Sequence, residues 1–584
     1  MADGVALKRI PYGEVDFRAI RQENSAYVDK TRYIEVLEKY GGDSSLIVRP
    51  RRFGKTLFTK MLEAYYDECL AEEFEKNFAG TYIGEHKTAL ANSFRVIHFD
   101  FSGFSSSPNI VKRFDESIRT SIETFFSKYP HSRQERILDG EFPDASSLLE
   151  AFFGILGNAY EQKLYVIVDE YDQFANNILA SDVGRFRDMT SKEGFYKDFF
   201  TTLKKGTTGV VARVFITGVS VFSLDSMTSG FNIADKISTS MRFAGMFGFN
   251  ESELRKLIPQ VVDLEACGLT LGYVVDHMKE WYNGYRFSSR SNETVFNPTM
   301  CLYYLYELRR EQAEPEDMVD SNLGQDLDKI EGILKPWKKD LVREVLELAL
   351  CNKPIPFKEK PTDLNLNKEA TTLDKTALLS TLFYFGFLTF CESKNSEEKP
   401  SLCIPNKAVR IQFFSYFRKY ILGDSSYEFI DSEFKPTVSA LISGNPEPFF
   451  KLVCNFYSDA SGLHNHSHIR ESDFQTLLVA NLNLADQYDV QCECEVRGND
   501  AKGYADILAT PKKGRAAKYS YLIEIKHLKV EEGKNPSVLQ DTVDEAKAQL
   551  ARYSLGNNVS GIENLKRIVA VFVGVELKVL EVYC

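Results

Sequence analysis

The sequence predicts a multidomain α/β chain, with a parallel α/β sheet first, a helical middle region, and a second α/β unit at the C-terminal end. Three observations predict it. The apolar run Ser45-Leu46-Ile47-Val48 leads through Arg49-Pro50-Arg51-Arg52-Phe53 into Gly54-Lys55-Thr56, and residues 57–62 then repeat apolar side chains at helical spacing. Leu164-Tyr165-Val166-Ile167-Val168 is a continuous apolar run, as a buried parallel strand requires, and ends in Asp169-Glu170-Tyr171-Asp172. In the last quarter, Gly503-Tyr504-Ala505-Asp506 precedes the strand-like run Tyr521-Leu522-Ile523-Glu524-Ile525-Lys526, and Gln549 and Tyr553 follow four residues apart.

Strand, loop, Gly-Lys-Thr and helix is the order of a phosphate-binding P-loop. Backbone N–H groups from Gly54 into the helix start would hold phosphate oxygens. Lys55 would reach the β- and γ-phosphates, and the Thr56 hydroxyl would ligate Mg²⁺. Arg51 and Arg52 flank the loop and are candidate phosphate contacts. Asp169, at the carboxyl end of its strand, is placed to hold the same Mg²⁺, and Glu170 to polarise a water. A further strand, Arg213-Val214-Phe215-Ile216, ends in Thr217-Gly218-Val219-Ser220. Thr217 is there either to sense the γ-phosphate or to cap the next segment.

The C-terminal set points to different chemistry. Glu524 and Lys526 are one residue apart on a strand and so share a face. Asp506 and Glu524 converging on one point would hold a hard divalent cation. A lysine beside them orients or deprotonates a water, or stabilises a phosphorane-like charge. That is the chemistry of metal-assisted phosphodiester hydrolysis. Gln549 and Tyr553 share one helix face.

Asp506, Glu524-Ile525-Lys526 and Gln549-xxx-Tyr553 resemble the PD-(D/E)XK nuclease superfamily, in the branch with a QxxxY helix. The resemblance implies a restriction-endonuclease-like α/β domain in which an earlier helix often supplies another acid. Glu471 stands where that helix should be. It also implies that Gln549 and Tyr553 orient substrate or the lysine. The rest of the chain resembles the AAA-ATPase-like family of fused proteins, in which Arg-Pro-Arg-Arg-Phe-Gly-Lys-(Ser/Thr) is itself the form of the P-loop. Matching segments are Ile10-Pro11-Tyr12-Gly13, Tyr27-Val28-Asp29-Lys30-Thr31, Trp281-Tyr282-Asn283-Gly284-Tyr285-Arg286-Phe287, Phe296-Asn297-Pro298 and Ile404-Pro405-Asn406-Lys407. The implied cofactors are ATP or GTP and Mg²⁺. The implied partner is nucleic acid, with DNA favoured by analogy alone.

The 584 residues are too many for one core. The expected division is an NTPase domain over 1–245, a helical middle over 246–440 and a nuclease-like domain over 441–584. Asn250 with Glu253 reads as a capping box opening a helix, and 311–328 as an acidic surface connection. The N-terminus lacks an apolar signal core, no apolar run approaches the ~20 residues of a membrane span, and the ten cysteines form no framework. These features predict reduced thiols, no membrane partner and an intracellular location, cytoplasmic or nuclear. A net charge of −12 argues against a protein that coats DNA. A nuclease needs only local basic surface, for which Lys502, Lys512, Lys513, Arg515, Lys518, Lys529 and Lys534 are candidates. The histidines of 464–468 read as solvent-facing and not as a zinc tract. Two functions fit this reading: a nucleotide-regulated, metal-dependent nuclease, or a nucleotide-dependent switch or effector-type binding protein with a silent nuclease fold.

Overall fold

The computed structural model describes residues 6–103, 109–157, 164–173, 194–220, 231–320, 334, 337–357, 374–392, 399–417, 431–458, 470–496 and 503–583. Lys502 and the histidines of 464–468 lie outside the described residues. The chain divides into two compact units, one of residues 1–338 with 356–408 and one of 339–355 with 409–584. Most of the expected helical middle therefore clusters with the N-terminal sheet, while 339–355 and 409–440 cluster with the C-terminal one.

In the first unit β1 (Ser44–Val48), β2 (Arg95–Asp100), β3 (Leu164–Asp169), β4 (Val211–Gly218) and β5 (Asp235–Lys236) form a parallel sheet ordered β2-β3-β4-β1-β5. β1 and β3 are buried along their whole length, which explains their uninterrupted apolar character. β4 lies between them, with Val48 opposite Gly218 and Val168 opposite Ile216. The carboxyl ends of β1, β3 and β4 thus meet at one sheet edge, where open α/β sheets bind ligands. Helix α1 (Lys55–Tyr66) starts directly after the loop that follows β1.

Beyond the sheet, Asn250 caps the helix Glu251–Val261 in a full capping box with Glu253. The helix Pro298–Glu311 begins with Asn297 as its cap. Gly284 has φ +93°, and a Cβ there would come 2.0 Å from the carbonyl oxygen of Pro405, so only glycine fits that turn. The acidic stretch after 311 is not simply surface. Met318 and Asp320 are buried, and Asp320 accepts hydrogen bonds from Tyr12 and Arg52.

The second unit is built on β6 (Tyr488–Val496), β7 (Gly503–Pro511), β8 (Ser520–Leu528), β9 (Leu565–Val573) and β10 (Glu576–Tyr583), ordered β10-β9-β8-β7-β6. β8 and β9 run parallel and every other pair antiparallel. A parallel pair needs a crossover, which helix α4 (Pro536–Ser554) supplies. Val543, Ala546, Leu550 and Tyr553 of α4 pack on Leu522, Val569 and Val571. Helix α2 (Lys339–Leu350) and helix α3 (Glu471–Ala485) also belong to this unit, joined by an ion pair from Arg343 to the buried Asp473.

Candidate functional sites

The loop after β1 is held from several sides. Arg49, where a glycine would be usual, is 1% exposed and does not face a phosphate site. Its guanidinium donates to the carbonyls of Val48, Ser238 and Phe243 at 2.9, 2.7 and 2.9 Å and lies 4.3 Å over the Phe287 ring. Its backbone N–H donates to Gly218 O. Arg49 is therefore a strut that fixes the loop to the neighbouring strand. Phe53 sets its edge against Tyr285 and Phe287, with ring centroids 4.9 and 5.3 Å away. Arg52 and Gly54 both sit at positive φ, 66° and 87°, which turns the chain so that α1 points its N-terminus into the loop.

Lys55 is buried, with Nζ 3.2 Å from Pro50 O and 4.0 Å from Glu170 Oε1. Asp169 is 1% exposed, and its Oδ1 accepts the Glu170 N–H at 2.9 Å while Thr59 Oγ1 stands 3.3 Å from Oδ2. Burial pushes the Asp169 carboxyl up, and the charges of His98 and Lys55 with a hydrogen bond from Thr56 work against it. Burial likewise raises Glu170, opposed by Lys55. The structure thus brings Lys55, Thr56, Asp169 and Glu170 together. Arg51 and Arg52 are engaged with protein partners, Arg51 with Gln173 Oε1 at 2.7 Å and Arg52 with Asp320 Oδ2 at 3.4 Å. Thr217 is fully buried beside them in the sheet, and its hydroxyl caps no backbone group among the described residues.

A cavity of about 300 Å³ opens beside the loop, lined by Tyr12, Val28, Phe53, Phe249 and Leu302 together with Gly54, Lys55 and Glu170. The cavity thus brings apolar side chains together with a buried lysine and the N-terminus of α1.

Asp172 and Asp320 carry roles that sequence reasoning missed. Asp172 accepts from Val219 N, Ser220 N and Ser220 Oγ at 2.9, 2.6 and 2.8 Å, locking the end of β4 to the acidic turn. Its place in Asp169-Glu170-Tyr171-Asp172 was the available signal. Nothing in the sequence near Asp320 singled it out.

In the second unit the pairing of β7 with β8 ends at Ile507 and Ile523. Beyond that point the strands part, and Asp506 Oδ2 accepts the Ile525 N–H at 2.6 Å. Glu524, 3% exposed, faces α4 together with Leu522 and lies 3.0 Å from Lys526 Nζ through Oε1. Its Oε2 is buried without a hydrogen-bond partner among the described residues, as is Gln549 Oε1 on α4. Tyr553 packs against Gly503, where a Cβ would come 2.6 Å from its ring. Glu471 caps a different group, accepting the His527 N–H at 3.1 Å.

Burial, then the charge of Glu524, pushes Asp506 up to about 7, with the Ile525 N–H and Lys526 pulling the other way. Burial also raises Glu524, opposed by Lys526. For Lys526 burial opposes the charge, but Glu524, Glu471 and Asp506 outweigh it and the ammonium is held above its usual range. Glu471 is thus near enough to act electrostatically. Even so, no three acid, histidine or cysteine side chains among the described residues converge on one metal position. The fit to Mg²⁺ rests on Asp506, Glu524 and the unpartnered Glu524 oxygen. Hard oxygen donors in small number suit an ion that keeps most of its waters.

Three residues of the expected basic surface are engaged in ion pairs. Lys512 and Arg515 both pair with Asp486, and Lys534 pairs with Glu531 at 2.8 Å. Lys526 is the cation placed at the carboxylates.

These two centres define a protein that joins a nucleotide-binding α/β domain to a nuclease-type fold, and comparison with known proteins agrees. Residues 11–228 match the family model described as predicted AAA-ATPase, and residues 469–582 match that of the PD-(D/E)XK nuclease superfamily. The chain thus carries an AAA-ATPase-like domain over 11–228 and a PD-(D/E)XK nuclease-superfamily domain over 469–582. An uncharacterized protein in the vnfD 5' region of Azotobacter chroococcum mcd 1 is 26% identical over 330 residues, 54% of this chain and 56% of that one. The match thus spans little more than half of that relative's length. Among the described residues no helix is long and apolar enough to cross a membrane.

Proposed function

We propose that this protein binds ATP or GTP with Mg²⁺ at Lys55 and hydrolyses nucleic-acid phosphodiester bonds, with DNA as substrate, at a metal-dependent centre formed by Asp506, Glu524 and Lys526. The observation that carries the reading is the wedge between β7 and β8. There a buried and a half-buried carboxylate, both with raised pKa, and a charged lysine come together, an arrangement costly to keep for stability alone.

At the nuclease centre Asp506 and Glu524 would hold Mg²⁺, which when bound neutralises phosphate charge and acidifies a water. Lys526 places a fixed positive charge where negative charge develops on the phosphate. Gln549 and Tyr553 line the α4 side and orient substrate. At the loop, Lys55 binds the β- and γ-phosphates, Thr56 and Asp169 would hold Mg²⁺, Glu170 orients a water, and Thr217 faces the γ-phosphate. Arg51 and Arg52 become phosphate contacts only on leaving Gln173 and Asp320.

The test is cleavage of single- and double-stranded DNA and RNA with Mg²⁺ or Mn²⁺, with and without ATP or GTP. Metal-dependent cleavage lost in Asp506→Ala and altered by nucleotide in wild type is expected. Equal cleavage by wild type and Asp506→Ala would reject the assignment of the site.

A further inference from the structure

His98 belongs to no motif identified above, yet it sits inside the phosphate-loop centre. β2 and β3 run parallel with His98 opposite Ile167 and Asp100 opposite Asp169. Side chains alternate along strands, so His98 and Asp169 lie diagonally on one face of the sheet. That is the face covered by α1. Lys60 Nζ lies 3.3 Å and Glu63 Oε2 3.5 Å from His98 Nδ1. One helical turn earlier on α1, Thr59 reaches Asp169. Glu63 in turn lies 3.5 Å from Lys128 Nζ.

With Nδ1 accepting from Lys60, or with the ring charged and Nδ1 donating to Glu63, Nε2 carries a proton in either case. Nε2 is buried and has no hydrogen-bond partner among the described residues. A buried donor left unmatched is costly, so a donor kept there needs an acceptor, supplied by protein or by water. Of the charges that act on Asp169, that of His98 is the largest.

We propose that His98 is a positioning residue for Asp169: its Nε2–H donates to one bridging water that also hydrogen-bonds the Asp169 carboxylate, and so fixes the oxygen that would meet Mg²⁺. This rests on the nucleotide reading of the loop. It adds an outer partner for the metal-holding carboxylate, set by Lys60 and Glu63 from α1. Outer partners of this kind typically govern metal affinity by about 10- to 100-fold.

The test is a Mn²⁺ titration of the full chain by electron paramagnetic resonance, with and without a non-hydrolysable ATP analogue. Only the increment caused by nucleotide is read, so binding at the nuclease centre cancels. His98→Ala and His98→Phe are expected to weaken that increment about tenfold, while nucleotide binding in EDTA stays unchanged. His98→Gln, which restores a donor near Nε2, is expected to recover most of the affinity. Wild-type Mn²⁺ affinity in the Phe variant would overturn the proposal alone, as would failure of Gln together with Phe. Absence of any nucleotide-dependent Mn²⁺ binding by wild type would overturn the nucleotide reading and this inference with it.

Discussion

The carboxylate of Asp506 takes the backbone N–H of Ile525 at 2.6 Å, in the place where a ladder bond between β7 and β8 would otherwise lie. Continuing the register that pairs Ile507 with Ile523 would set Ala505 opposite Ile525. Instead the side chain substitutes for a backbone carbonyl, and the two strands diverge around it. Beside this wedge Glu524 is buried and Asp506 half-buried, and Glu524 Oε1 lies 3.0 Å from Lys526 Nζ.

That arrangement makes metal-free stability depend on pH. Asp506 titrates at about 7 in the folded chain against 3.8 as its ordinary value. Between those values the folded state holds the proton that the unfolded state has lost, so stability falls as pH rises through this window, by up to about 1.4 kcal/mol per unit. Glu524, also raised, pushes in the same direction. Asp506→Asn is expected to raise Tm in EDTA at pH 8 by a few degrees and to change it little at pH 4. Thermal unfolding followed by circular dichroism checks this, and a larger effect at pH 4 would contradict it.

Removing Lys526 separates binding from rate. Lys526→Ala should keep Mn²⁺ binding at the nuclease centre and lower the cleavage rate about 10²- to 10³-fold, as loss of one fixed charge in an electrostatic site does. Plasmid nicking and a Mn²⁺ titration on the same preparation read the two effects. Tyr553→Phe should cost less than tenfold, because the ring keeps its packing on Gly503.

At the loop, Lys55→Ala should abolish nucleotide binding by isothermal titration, since it removes the buried charge at the end of the cavity. Glu170→Gln should bind nucleotide as wild type does and stop turnover. Binding by Lys55→Ala at wild-type strength would mean that the loop holds no phosphate.

Asp320 offers a test of what lies behind the loop. Asp320→Ala leaves Arg52 and Tyr12 without their shared acceptor. Loss of a buried carboxylate with two donors should destabilise by about 2–4 kcal/mol and weaken nucleotide binding, because Tyr12 lines the cavity. Denaturant unfolding with calorimetry checks both, and an unchanged unfolding midpoint would show that the contact carries no stability.

The sequence by itself determined the main strands and the helix starts, and it named the candidate residues of both centres. Fully buried strands need unbroken apolar runs, so β1 and β3 were legible, and the loop after β1 and the acids after β3 fell where strand ends meet. Asn250 with Glu253 announced a helix start because capping is a local hydrogen-bond problem solved within four residues. Only the tertiary structure decided what each polar side chain faces. Arg49 is a strut because Ser238 and Phe243, almost 200 residues away, present carbonyls to it. Glu471 gives one carboxylate oxygen to the His527 N–H, and Asp320 is buried within an acidic stretch that reads as surface. His98 gained its place beside Asp169 from strand order. Sequence spacing fixes which residues share a face of one element. Which faces meet depends on long-range packing, which local pattern does not encode.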